Sequence, residues 1–240
     1  MRPPALSLVI PAYNEEKRLP VALARIADWL GSRTPALPAE VLVVDDGSSD
    51  RTAAVAEKTA AGLGLPFRVI RLPENRGKGA AVRAGVLASE GERVLISDAD
   101  LATPIEELAT LASRGVDLAV GSRGLRRELI TRRQPLPRDV LGRAFNLAIR
   151  LLGLTTLSDT QCGFKLIEGG LARRLAAVQR LDSFAFDIEL LARAERAGAR
   201  IAEVPVHWAH VEDSRVRALR HGSAMVLDAL RVRWWLWTGR

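Results

Sequence analysis

Five short apolar runs divide the first half of the chain: "ALSLVIPAY", "EVLVVDD", "FRVIRL", "RVLISDAD" and "VDLAVGSR". Between them lie helical patterns, at Glu15 to Gly31, "DRTAAVAEKTAAGLG", "GKGAAVRAGVLASE" and "PIEELATLAS". Strands that alternate with helix-length segments predict βαβ units and a mostly parallel sheet. Nearly continuous Val, Leu and Ile within each run fits strands covered on both faces. This pattern predicts an α/β fold with helices flanking one central sheet.

The alternation stops near Arg123, and a basic, proline-containing loop is expected up to Arg138. Beyond it "VLGRAFNLAIRLLG" reads as an amphipathic helix and "DTQCGFKLIEGG" as a strand with turns. Helices follow around Gly169–Gln179 and Phe186–Gly198, then a late strand in "ARIAEVPVHW". "HVEDSRVRALRHG" is a loop entering the last helix. At 240 residues, the chain suits one domain spanning 1–240, with about 1–123 and about 124–240 as its two halves. The second half reads as an elaboration on the same sheet.

Ligands of open parallel sheets sit beyond the carboxyl ends of the strands. Each predicted strand end in the first half carries polar or charged residues. They are Pro11-Ala12-Tyr13-Asn14-Glu15, Asp45-Asp46-Gly47-Ser48, Asn75-Arg76-Gly77-Lys78-Gly79, Asp98-Ala99-Asp100 and Gly121-Ser122-Arg123. One such end is an ordinary turn with a helix cap. Five in succession point to a ligand-binding edge. Asp98 and Asp100 repel each other and resist desolvation, so a positive partner is expected. A hard divalent cation that keeps waters and phosphate oxygens would serve. One carboxylate could hold the ion while the other meets a ribose or sugar hydroxyl.

The "NRGKGAAVRAG" segment lacks the spacing of a nucleoside-triphosphate loop, and no GxGxxG follows the first strand. HExxH, paired CxxC and GxSxG motifs are missing too, and His207, His210 and His221 lack metal-ligand spacing. Cys162 is the sole cysteine, so no intrachain disulfide can form, which fits a reducing compartment. The net charge of +7 favours anionic partners. Seven arginines lie between Arg123 and Arg143, against only Glu128 and Asp139. Aromatic residues are 5% of the chain and no recognition motif appears, so nucleic acid is not expected as a partner.

Taken together, "SLVIPAYNEE", "VLVVDDGSSDRT", "NRGKGAAVRAG", "ISDADLATPIEEL", "VGSR", "GRAFN", "DTQCGFKL", "FAFDIELL" and "AEVPVHW" resemble the family 2 glycosyltransferases of the GT-A fold. The branch they resemble most is that of the dolichyl-phosphate β-glucosyltransferases and related polyprenyl-phosphate glycosyltransferases. The resemblance implies a GT-A domain with an acceptor-side elaboration in its second half. It implies that Pro11, Tyr13, Glu15, Asp45, Asp46, Lys78, Asp98 and Ala99 bind the nucleotide sugar. Asp98 and Asp100 match the DxD pair, with Asp100 the better ligand for Mg²⁺ or Mn²⁺. Arg123 matches a basic position near the diphosphate, and Arg143, Gln161, Lys165, Arg215 and Arg217 match positions on the acceptor-phosphate side. Asp187 is a general base if the acceptor is a hydroxyl, or simply a carboxylate at a helix N-terminus.

The activity implied is inverting transfer of a hexose, glucose by branch resemblance, from a nucleotide sugar such as UDP-glucose to a dolichyl or polyprenyl phosphate. Mannose from GDP-mannose, a hydroxyl acceptor and a non-catalytic nucleotide-sugar binder remain alternatives. A phosphate acceptor is already an anion at neutral pH, so it needs positioning and charge neutralisation more than a base. No window approaches the roughly 20 apolar residues of a spanning helix. The Trp-rich end "RVRWWLW" suits an interfacial helix, whereas "AFNLAIRLL" is expected to pack on the core. The expected location is cytoplasmic, peripheral on the inner face of the cell membrane.

Overall fold

The computed structural model describes residues 3–34, 37–64, 66–211 and 218–239. Arg215 and Arg217 lie outside the described residues. The first half folds as strands β1 (Leu6–Ala12), β2 (Ala39–Asp45), β3 (Phe67–Arg71), β4 (Arg93–Ile96) and β5 (Leu118–Ser122). Helices α1 (Leu19–Gly31), α2 (Thr52–Leu63), α3 (Lys78–Ala88) and α4 (Glu107–Ala112) connect them. Then come the short β6 (Ile130–Arg132), α5 (Leu136–Leu151), β7 (Lys165–Glu168), α6 (Gly169–Val178) and α7 (Phe186–Arg196). The described chain closes with β8 (Ile201–Pro205), β9 (Trp208–Ala209) and α8 (Ala218–Thr238).

The main sheet has seven strands in the order β3-β2-β1-β4-β7-β5-β8. All its neighbouring pairs are parallel except those made by β7, which runs antiparallel to both β4 and β5. Strands of both sequence halves therefore share one sheet. The mixed sheet has a consequence for the site. An antiparallel strand begins where its neighbours end, so Lys165 pairs with Ile96 and Val120 at the ligand-binding edge.

Alternation along β1 explains why the sheet is covered twice. Leu6, Leu8, Ile10 and Ala12 face a core built with α1 and α4, while Val9 faces one built with α3, α6, α7 and α8. Both faces are apolar, which removes the clean polar alternation of a half-exposed sheet.

Sequence and structure differ in several places. Helix α1 starts at Leu19, not Glu15. Asn14 adopts a left-handed φ of 55°, the Glu15 amide donates to Thr52 Oγ1, and Pro20 sits in the first turn of the helix. The stretch after Arg123 is only partly a loop: it holds a 3-10 turn at Arg127–Leu129 and β6, which pairs in parallel with β9. Helix α5 packs on the core through Ile149, with Phe145 and Leu152 against the same cluster, as expected for "AFNLAIRLL", and leaves its other face exposed. It buries only Asn146 and Ile149, while Leu136 and Leu151 are 75% and 80% exposed.

Candidate active site

The strand order reverses between β1 and β4, because β1 leads to β2 on one side and the chain returns to β4 on the other. That crevice is where open α/β sheets bind ligands. "PAYNE" leaves β1 on one side of it and "DAD" leaves β4 on the other.

The β1 and β2 ends are latched together. Asn14 Oδ1 accepts the Ser49 amide at 2.9 Å, and the Asn14 amide donates to Ser48 Oγ at 2.9 Å. Asp45 Oδ1 accepts the Ser48 amide at 3.0 Å, which closes the turn after β2. Asp46 reaches the next loop, accepting the Arg76 and Gly77 amides at 2.9 and 2.8 Å. Burial raises the Asp46 carboxyl above its ordinary value, against the pull of those two amides. Gly77 sits at φ 109° against the Asp182 carbonyl, where a Cβ would overlap that oxygen. The loop so held starts α3 and aims Lys78 into the crevice.

Lys78 Nζ lies 2.5 Å from Asp98 Oδ1. Burial disfavours the Lys78 charge, but Asp98, Asp187 and Asp100 more than offset it and push its pKa up to about 12. Burial likewise works to raise Asp98, yet Lys78, then Lys165 and Arg123, hold its carboxyl below the ordinary value. Asp100 goes the other way: burial first, then the Asp98 charge, raises it. Strand β4 ends at Ile96, the Ser97 amide still donates to the Val9 carbonyl at 3.1 Å, and the DAD segment beyond is a turn in which the Leu101 amide donates to the Asp98 carbonyl at 3.2 Å. Asp100 Oδ1 accepts the Ala102 amide at 3.0 Å, and Leu101 takes a φ of 45°.

On the β5 side, Arg123 is fixed by Asp159. Its Nε and Nη2 each donate at 2.7 Å, and its amide donates at 2.9 Å. Burial opposes both charges of this pair. Even so, Arg123 is driven upward and Asp159 downward by each other's charge. The guanidinium carbon stands 5.5 Å over the Trp208 ring, which the β6–β9 pairing delivers. Arg138, in the first turn of α5, is depressed by burial and then by Arg123 beside it.

A family model for glycosyl transferase family 2 matches residues 7–174, which include all of these groups except Asp182, Asp187 and Trp208. The chain belongs to glycosyl transferase family 2. It is 39% identical to the human protein named dolichyl-phosphate beta-glucosyltransferase, over 95% of this chain and 74% of that one. It is likewise 39% identical to the Drosophila melanogaster protein of that name, over 88% of this chain and 69% of that one. Among solved structures it resembles glucosyl-3-phosphoglycerate synthase from Mycobacterium tuberculosis in complex with Mn²⁺, UDP-glucose and phosphoglyceric acid. That match has a TM-score of 0.67 at 22% identity, covering 96% of this chain and 79% of that one. The fold is thus that of a glycosyltransferase, as the alternation and the motif string imply.

Within this family 2 enzyme, the expected residues fall into three groups. Asp98, Ala99, Asp100, Lys78 and Arg123 stand close together through charge or contact. Pro11, Tyr13, Glu15, Asp45 and Asp46 line the adjoining β1–β2 end, with Tyr13 38% exposed and the acids buried in the latch. Arg143, Gln161 and Lys165 do not gather around one open point. Arg143 is exposed on α5 and pairs with Asp139, which also holds Arg127. The Gln161 side-chain amide faces Met225 of α8 at 3.8 Å. Lys165 is fully buried, donating to Asp187 Oδ1 at 2.7 Å and to the Cys162 carbonyl at 2.6 Å.

Sequence reading missed Asp159, Arg138, Arg18 and Trp208. Arg18 pairs with Glu15, and its charge acts on Asp100. The Arg-rich stretch signalled Arg138 only as one of many; the pairing of Asp159 with Arg123 spans 36 residues and has no local signature.

Proposed function

We propose that this chain transfers glucose from UDP-glucose to a dolichyl or related polyprenyl phosphate, with inversion at the sugar carbon. The observation that carries this reading is the engagement of Asp187. Its carboxylate is committed to buried Lys165, so it does not stand free as the base a hydroxyl acceptor would require. A phosphate acceptor needs cationic positioning instead; Arg123 acts on Asp98 of the DAD turn, and Arg138 stands beside Arg123. The names of the curated relatives point to the same acceptor and sugar. Structural neighbours solved with UDP-glucose and Mn²⁺ support the donor and a divalent ion.

The donor set fits such an ion. Among the described residues no group of three or more His, Cys, Asp or Glu could cage a metal. Asp98 and Asp100 therefore offer a partial oxygen shell, which suits Mg²⁺ or Mn²⁺ completed by water and phosphate oxygens. Asp100 would be the main protein ligand, since Lys78 already neutralises Asp98. The ion, when bound, would supply Lewis-acid stabilisation of the departing diphosphate. The chain's own residues do the rest. The β1–β2 latch holds the base and ribose, Lys78 and Asp98 orient the sugar end, and Arg123 neutralises phosphate charge. Attack by one acceptor oxygen on the sugar carbon breaks the bond to UDP, and an α-linked donor gives a β-linked lipid phosphate.

We further place the enzyme peripherally on a membrane surface. No described helix is long and apolar enough to cross a membrane. Helix α8 exposes Val226, Leu227, Leu230, Trp234 and Trp237 on the face opposite its packed residues Met225, Ala229 and Val232. Helix α5 exposes Leu136, Val140, Leu147 and Leu151 on the face opposite Ile149. Exposed Arg143, Arg150, Arg231 and Arg233 accompany these stripes, a combination suited to anionic headgroups.

The test offers UDP-glucose and GDP-mannose side by side with a short polyprenyl phosphate and Mn²⁺ or Mg²⁺. Lipid-phosphate-dependent release of UDP and a β-linked product are expected. Release of GDP, or UDP release that ignores the lipid phosphate, would overturn donor or acceptor respectively.

A further inference from the structure

The "DTQCGFKL" segment resembles an acceptor-side motif, yet its best-defined contacts point to the other substrate. Because β7 runs antiparallel, the residues before it arrive at the carboxyl end of β4, beneath the DAD turn. The Gly163 backbone lies directly against the Asp98 side chain. A Cβ placed on Gly163 would sit 2.7 Å from Asp98 Oδ1 and closer still to Cγ and Oδ2. The carboxylate is thus confined between that backbone and Lys78 Nζ at 2.5 Å. Two residues on, the Lys165 ammonium is fully buried and held by Asp187 and the Cys162 carbonyl. A buried charge with this cost persists only with close partners. The bond from Lys165 to the Cys162 carbonyl ties down the turn that carries Gly163. No solvent-facing surface of Lys165 remains for a lipid phosphate.

We propose that Gly163 and Lys165 are positioning residues for the donor side, fixing the Asp98 carboxylate against Lys78 rather than binding the acceptor phosphate. The proposal rests on Asp98 and Asp100 as the donor and metal end of the site. Gly163 acts by shape, leaving room for one carboxylate orientation. Lys165 acts by holding the turn that carries Gly163, through its bond to the Cys162 carbonyl, while Asp187 balances its charge. Asp187 is by this account the counter-ion of Lys165.

Gly163→Ala is the direct test, read in two ways. In a crystal structure of the ligand-free variant, the Asp98 carboxylate should leave Lys78. A carboxylate unmoved from Lys78 would overturn the proposal, whatever sugar the enzyme uses. In calorimetry and steady-state kinetics, half-saturation by UDP-glucose and Mn²⁺ should rise by about tenfold or more, with the acceptor KM unchanged. Unchanged donor and metal half-saturation, or a rise confined to the acceptor, would equally overturn it. If Gly163→Ala fails to fold, the double variant Lys165→Met/Asp187→Leu replaces the buried ion pair by apolar groups of similar size, which cores often tolerate. It should bind Mn²⁺ with UDP more weakly while leaving the acceptor KM in place. Undiminished Mn²⁺ binding in the double variant would sink the role of Lys165. Failure of the wild type to bind UDP would count against the donor assignment alone, and the crystal structure would still decide the role of Gly163.

Discussion

The crevice between β1 and β4 and the outer face of α5 and α8 follow opposite rules. In the crevice, polar side chains are buried or half-buried and engaged: Asp46 holds two amides, Asp159 holds Arg123, and Asp98 holds Lys78. On the helix face, large apolar side chains are exposed, with Trp237 at 79%. Each region inverts the usual partition of polar outside and apolar inside. The crevice offsets the cost of burial by pairing charges of opposite sign. The helix face leaves its apolar surface in water, a cost that contact with a bilayer would remove. Buried charge with partners marks where chemistry is organised, and exposed apolar surface marks where the molecule meets something else.

The comparison breaks most sharply at Asp100. Asp100→Ala should lower kcat by on the order of 10²–10³-fold if the carboxylate anchors the ion that stabilises the leaving group. Near-normal turnover with Mn²⁺ would remove the crevice from the mechanism. Asp159→Asn should come next. It leaves Arg123 without its bidentate partner beside Arg138, and stability should fall by about 3–5 kcal/mol in urea unfolding. A loss no larger than that of a surface ion pair would show that the pair is not acting as a buried one.

On the helix face, Trp234→Ala/Trp237→Ala should weaken binding to anionic vesicles by roughly tenfold or more. Turnover on a detergent-dispersed short acceptor should stay unchanged. Flotation that persists undiminished would move the docking surface elsewhere.

A pH titration sharpens the crevice side. Burial and then Asp98 hold the Asp100 carboxyl above its ordinary value, and only the ionised form binds a cation. Cation affinity should therefore be full above that raised value and fall as pH drops through it. The loss begins at a higher pH than for an unperturbed carboxylate. Mn²⁺ calorimetry from neutral to acid pH would show it, and a midpoint at the ordinary carboxylate value would refute it. The smallest effect is expected at Leu151. Because it is 80% exposed, Leu151→Gln should change unfolding stability by no more than about 0.5 kcal/mol, while reducing vesicle binding.

How much of this could be read in advance follows from the range of the interactions. The parallel strands were legible because apolar runs of strand length separated by helical patterns admit few packings. Lys78, Asp98 and Asp100 were legible because strand ends of such a sheet form its ligand edge. The start of α1 was not, since Glu15 leaves the helix for Thr52, a partner 37 residues away. The core-facing side of α5, at Phe145, Ile149 and Leu152, was legible from its amphipathic pattern, but that pattern does not name what the other face meets. Its stripe at Leu136, Val140, Leu147 and Leu151 stays exposed.

The sequence by itself determined the α/β alternation, the family, and the acids and bases of the ligand edge, because these depend on local periodicity and on side chains at strand ends. Tertiary structure alone decided how those charges are shared. Lys165 and Asp187 are 22 residues apart, Arg123 and Asp159 are 36 apart, and Gly163 meets Asp98 across the sheet. Only the antiparallel entry of β7 brings these partners together. Strand direction is a property of the assembled sheet, and no local run of residues encodes it.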